Sequence, residues 1–246
     1  MGKGIVLSLY DYTGEALKPW AEAGYTCYAF DIQHPADRLI KDKYASGGLI
    51  RYAHADLHNI DVLASLYSTF VTQPVVFGMA FPVCTDLAVS GAAHFKRKAA
   101  VDPLFQWKAA SHAMHAADLF DRLQVPYFIE NPVSRLATLW RKPDYSFHPY
   151  QYGGYIPASE AEHPKWPDYI APRDAYPKKT CLWTGGGFTM PSAKPVTPED
   201  GHSRQHLKLG GKSMKTKNIR SATPRGFARA VFEANAMEDD LCLYQQ

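Results

Sequence analysis

Short apolar runs alternate with longer stretches of helical periodicity along the first 130 residues. GIVLSLY reads as a buried strand, and ALKPWAEAG as a helix stopped by Gly24. TCYAFDI is the next strand, with Asp31 at its end. IRYAHADL is a further strand ending near Asp56, followed by a helical IDVLASLYSTF. PVVFGMAF runs into a loop at Pro82, residues 104–123 form a long amphipathic helix, and PYFIENP is another buried strand. This β-α-β-α order predicts an α/β fold, a parallel sheet with helices on both faces. In such sheets ligands lie outside the carboxyl ends of the strands. Asp31, Asp56, Cys84 and Glu130 all fall just past those ends, which points to a single site.

Beyond residue 140 the periodicity fades. Residues 141–178, rich in Pro, Tyr, Gly and Asp, read as an ordered loop excursion. KKTCLW is a short strand, and residues 186–219 show no clear period. TPRGFARAVFEANAM reads as a helix with Thr223 as its N-cap and Pro224 at its first position.

The bulk numbers narrow the class. A chain of 246 residues, 46% hydrophobic and 21% charged, suits one globular domain with a small appendage. Cysteines at 27, 84, 181 and 242 form no C-x-x-C pair, so reduced thiols and a cytoplasmic setting are expected. No signal-like N-terminal region, no apolar stretch near the ~18 residues of a membrane span, and no metal-ligand spacing stand out. The net charge of +3 says little, but residues 201–232 carry eight Lys/Arg and no Asp/Glu. Such a segment predicts a phosphate-contacting face.

The chemistry sits in two motifs. The first is Pro82-Val83-Cys84-Thr85-Asp86-Leu87-Ala88-Val89-Ser90-Gly91 and the second Glu130-Asn131-Pro132. A buried structural thiol is the plain alternative for Cys84, but polar Thr85 and Asp86 place it in a loop. Together the motifs resemble those of the DNA cytosine carbon-5 methyltransferases, most closely the short phage- and prophage-encoded members. Asp11-Tyr12-Thr13-Gly14, HPYQYGG, KKTCLW and RSATPRGFARA extend the resemblance over most of the chain.

The resemblance implies a Rossmann-like S-adenosylmethionine-dependent sheet and methyl transfer to carbon 5 of a cytosine flipped out of double-stranded DNA. Cys84 would be the nucleophile, Glu130 the acid at ring nitrogen 3, with Asn131 and Lys179 beside them. Tyr10, Asp11, Thr13, Gly14, Asp31, Ile32, Asp56, Leu57 and Phe81 would bind S-adenosylmethionine or a modified analogue. Tyr10 would pack on the adenine, the N–H groups of Thr13 and Gly14 would meet the methionine end, and Asp31 the ribose. Ser90, Arg135, Lys208, Lys212, Lys215, Lys217 and Arg220 would contact DNA. The domain division follows: catalytic residues 1–180, a basic target-recognition segment at 181–219, and a helix in 220–246 that returns to the catalytic domain. A monomer or weak dimer in the cytoplasm (the host's, for a phage protein) is expected.

The chain departs from the family pattern in several places. Val83 stands between Pro82 and Cys84, Thr85 replaces the usual Gln, and Lys178-Lys179-Thr180 stands where the family has an Arg-bearing strand. Only Gly14 remains of the glycine-rich turn, and the late Gly-Asn-x-Val motif is missing. These departures keep two other readings open: a carbon-5 pyrimidine transferase with another donor or substrate, and a DNA-binding relative without turnover.

Overall fold

The apolar runs become neighbouring strands of one sheet in the computed structural model, which describes residues 3–210 and 213–236. In chain order the elements are β1 (Ile5–Leu9), α1 (Lys18–Glu22), β2 (Thr26–Asp31), β3 (Ile40–Lys43), β4 (Leu49–His54), α2 (Ile60–Phe70) and β5 (Val75–Ala80). Then come α3 (Phe95–Val101), α4 (Phe105–Leu123), β6 (Tyr127–Pro132), α5 (Leu136–Leu139), β7 (Tyr145–Phe147) and β8 (Thr180–Gly185). Three helices close the described chain: α6 (Arg204–Lys208), α7 (Met214–Ser221) and α8 (Arg225–Asn235).

The strand order is β3-β4-β2-β1-β5-β6-β8-β7. Strands β4, β2, β1, β5 and β6 run parallel. Their order reverses between β1 and β5, which is the switch point of a doubly wound, Rossmann-like sheet. The expected all-parallel sheet is corrected at both edges. β3 pairs antiparallel with β4, while β8 runs antiparallel to both β6 and β7. β3 (IKDK) is exposed along its length and charged, as suits an edge strand, so it has no apolar signature to read.

Helices cover both faces. α2 and α4 bury Leu63, Phe70, Ala113 and Phe120 in one core. On the other face α1 and α8 meet, Trp20 stacking on Phe77 with ring centroids 4.9 Å apart and lying edge-on to Phe232 at 5.2 Å. α8 lies within the segment 220–246 and packs on α1; residues 237–246 lie outside the described residues. Two boundaries shift. Pro224, not Thr223, is the N-cap of α8, and the Gly226 N–H donates to the Asp174 carboxylate at 2.9 Å. The boundary expected at residue 181 falls inside β8, because Cys181–Gly185 pair with β6. The remainder of the basic segment packs on the excursion through a small third core of Ile170, Ala171, Tyr176, Leu209 and Ile219. Among the described residues no helix is long and apolar enough to cross a membrane.

Candidate functional site

The loop that carries Cys84 leaves β5 at the switch point. Phe81 N–H donates to Leu9 O at 3.0 Å, tying the start of the loop to β1. The Cys84 carbonyl accepts from Leu87 N (3.0 Å) and Ala88 N (2.8 Å), which closes a tight turn. That turn is laced to the chain following β6. Val89 N donates to Val133 O at 3.2 Å, Arg135 N to Leu87 O at 2.9 Å, and Asn131 Nδ2 to Pro82 O at 3.0 Å. The two motifs are thus one hydrogen-bonded unit. Asn131 is buried with its amide nitrogen on Pro82, so its place is that of a clamp on the cysteine loop rather than a contact in the cleft.

Glu130 lines a small cleft together with Phe81, Lys178, Thr180, Thr223, Pro224 and Phe227. No hydrogen bond occupies its carboxyl among the described residues. Burial pushes the Glu130 pKa up, and the Lys178 ammonium opposes that shift. Burial also pushes the Cys84 thiol up; Glu130 adds to the rise and Lys178 opposes it. Thiol, acid and ammonium therefore feel one another's charge. An acid so shifted keeps its proton closer to neutrality and can donate it.

The lysine here is Lys178, whose Nζ donates to Arg220 O at 2.8 Å. Lys179, the lysine expected here, does not line the cleft. Side chains alternate along an extended segment, so Lys178 faces the cleft with Thr180 while the charge of Lys179 is felt by His148 and Cys181.

The turn after β1 turns its polar groups inward. Asp11 is buried, and its carboxylate accepts from Gly14 N (2.8 Å), Ser8 Oγ (2.8 Å), Thr13 N (3.1 Å) and Thr13 Oγ1 (3.3 Å). Burial still raises the Asp11 pKa, and these bonds work against the rise. The N–H groups of Thr13 and Gly14, expected to meet the donor's methionine end, are therefore taken up by Asp11. Gly14 has φ +66 and lies so close to Tyr52 that a Cβ would come within 2.7 Å of its hydroxyl oxygen. The turn is built tight and depends on this glycine.

Of the remaining expected donor residues, Asp31 is buried, while Ile32, Asp56 and Phe81 are at least partly exposed. Asp31 uses one oxygen to accept from Gln33 N at 2.8 Å, and Ile32 beside it is 56% exposed. Asp56 is exposed and accepts from His58 N at 3.1 Å. Phe81 is half-buried and lines the Glu130 cleft. Leu57 does not join them: its side chain is buried, and its carbonyl accepts the Tyr10 hydroxyl at 2.9 Å. The Tyr10 ring lies against His58 and His112, two rings the motifs did not single out.

The basic segment is largely self-engaged. Lys208 donates to Asp168 O (2.9 Å), Arg220 to Leu209 O (2.6 Å), and Arg204 pairs with Glu199. Arg225 donates to the carbonyls of residues 160–162, and Arg229 pairs with Glu160. Lys215 lies 5.6 Å from the Tyr169 ring, and Lys217 is exposed. Lys212 lies outside the described residues. Ser90 and Arg135 are exposed beside the cysteine loop. So are Lys96 and Arg97 on α3, whose HFKRK run was passed over although it lies a dozen residues beyond Cys84. Comparison with protein-family models finds no match, and comparison with curated proteins finds none either.

Proposed function

We propose that this protein methylates carbon 5 of cytosine in DNA, with Cys84 as nucleophile and Glu130 as acid. The observation that carries the reading is the single unit formed by the Cys84 loop and the Glu130 strand. Asn131 clamps the loop, and Lys178 biases both ionisable groups. The Cys84 thiol gives its proton to solvent, and the resulting thiolate adds to carbon 6, forming the S–C6 bond. The displaced ring electrons move toward nitrogen 3, which takes the Glu130 proton and leaves carbon 5 electron-rich. S-adenosylmethionine would supply the methyl group to carbon 5 and leave as S-adenosylhomocysteine. Loss of the carbon 5 proton to water then expels the thiolate, and the nitrogen 3 proton returns to Glu130.

Asp31 would hold the donor's ribose hydroxyls and Asp56 its adenine amine, with Ile32 against the ring; the exposure of Ile32 and Asp56 supports this fit. The cytosine must leave the stack to reach Cys84, so duplex DNA implies base flipping. Lys96, Arg97 and Arg135 flank the cysteine loop as exposed cations suited to phosphates.

A second reading is a carbon-5 transferase that uses another donor. It is favoured by the closed turn, where Asp11 occupies the N–H groups of Thr13 and Gly14. Incubation with methyl-labelled S-adenosylmethionine and unmethylated duplex DNA, followed by digestion to nucleosides, separates the two. The methyltransferase reading expects label in 5-methylcytosine and none with Cys84→Ser. Label absent from every DNA tested, with the protein folded, would contradict it.

A further inference from the structure

We propose that the exposed His58 ring, backed by His112, is a stacking platform for the donor's purine; this deepens the methyl-transfer reading and rests on it. His58 stands two residues past Asp56 in the β4–α2 connection, directly before Asn59, the N-cap of α2. Asn59 accepts from Asp61 N at 2.9 Å, so the helix cap fixes where His58 leaves the backbone. His112 comes from α4, on the other side of the connection. The two imidazoles lie 4.1 Å apart at an interplanar angle of 13°, a face-to-face pair.

Tyr10 completes the cluster, with its ring 6.1 Å from His58 and 6.3 Å from His112. Its hydroxyl bond to Leu57 O holds the ring in place. Three rings from three elements thus meet beside the switch point, where this sheet class takes its ligands.

The chemistry of the cluster selects a flat, nitrogen-rich ring. Burial, together with neighbouring His58 and His115, lowers the His112 pKa to about 4 against the pull of Asp56. At neutral pH His112 is therefore an uncharged ring, suited to packing rather than to pairing with an anion. His58 is exposed, so the face it turns away from His112 is accessible. The Asp56 carboxylate, which accepts from the His58 backbone N–H, is exposed two residues before His58 and is an acceptor for an exocyclic amine. A ring-stacking face beside a hydrogen-bond acceptor fits an aminopurine. In this arrangement His58 touches the purine, and His112 is a positioning residue that holds the His58 ring in plane.

Calorimetric titration of the full chain with S-adenosylhomocysteine and, separately, adenosine tests the platform. Base–aromatic stacking removed by alanine typically weakens binding about tenfold or more. His58→Ala should therefore weaken both ligands by about that factor without moving the melting temperature, and His58→Phe should restore most of the loss. His112→Ala should weaken both less, with the ratio between the two ligands unchanged. Wild-type binding of S-adenosylhomocysteine that His58→Ala leaves within twofold would overturn the platform while sparing the methyl-donor reading. Wild-type binding of adenosine but not S-adenosylhomocysteine, lost in His58→Ala, would support the purine platform and break the methyl-donor reading. A wild type that binds neither would overturn both.

Discussion

Two carboxyl groups flank the switch point and differ in one respect. Asp11, after β1, accepts four hydrogen bonds from its own turn. Glu130, on β6, accepts none among the described residues and faces an open cleft. Burial raises the pKa of both, yet only one is free to pass its proton to a ligand. A buried acid whose lone pairs are filled by backbone N–H groups is part of the frame; one left open beside a thiol is chemistry held ready. The motifs give Asp11 to the donor and Glu130 to the base, but do not tell which carboxyl is already hydrogen-bonded.

Substitutions at these sites sharpen that contrast. Glu130→Gln should lower the methylation rate by about 10²–10⁴-fold with the melting temperature nearly unchanged, as other removed general acids and electrostatic stabilisers do. A rate within tenfold of wild type would place Glu130 in the frame with Asp11. Asp11→Ala should do the reverse, leaving buried N–H groups of Thr13 and Gly14 without their acceptor. Chemical denaturation should show a loss of about 2–3 kcal/mol, and a variant as stable as wild type would remove the distinction.

The pH profile of Cys84 reactivity probes the lysine between them. The Lys178 charge lowers both the Cys84 and the Glu130 pKa, so Lys178→Met raises both. The rising limb of the rate profile, which follows thiol ionisation, should move to higher pH in Lys178→Met and stay in place in Lys179→Met. Equal shifts in both variants would show that the alternation of side chains does not decide which lysine acts. A smaller effect concerns DNA. Replacing Lys96 and Arg97 with Ala should reduce the salt slope of DNA binding by about 2. The same change at Lys208 and Arg220, which donate to carbonyls within the protein, should alter it less.

The parallel strands β1, β2, β4, β5 and β6 were legible because each is a short, β-branched or aromatic run bounded by turn residues. β3 and β7 were not, one having three charged residues of four and the other being three residues long, so the antiparallel edges went unseen. At the site, Cys84 and Glu130 could be read from motif and position. Which of two adjacent lysines faces them depends on register, and which N–H groups are already bonded depends on how the turn closes. The internal ties of the basic segment stay hidden for a related reason: its partners Glu160 and Glu199 lie outside the run, and Asp168 and Leu209 contribute main-chain oxygens that no count of charges reveals. His58 and His112 lie 54 positions apart and meet only once α4 packs beside α2.

The central claim is a covalent bond between Cys84 and carbon 6 of a pyrimidine in DNA. Mass spectrometry after incubation with S-adenosylmethionine and duplexes carrying 5-fluorocytosine in varied sequence contexts tests it most directly, because fluorine at carbon 5 blocks release of the enzyme. The account predicts a protein–DNA adduct located at Cys84 and absent from Cys84→Ser. No adduct in any context, or an adduct that persists in Cys84→Ser, would contradict it.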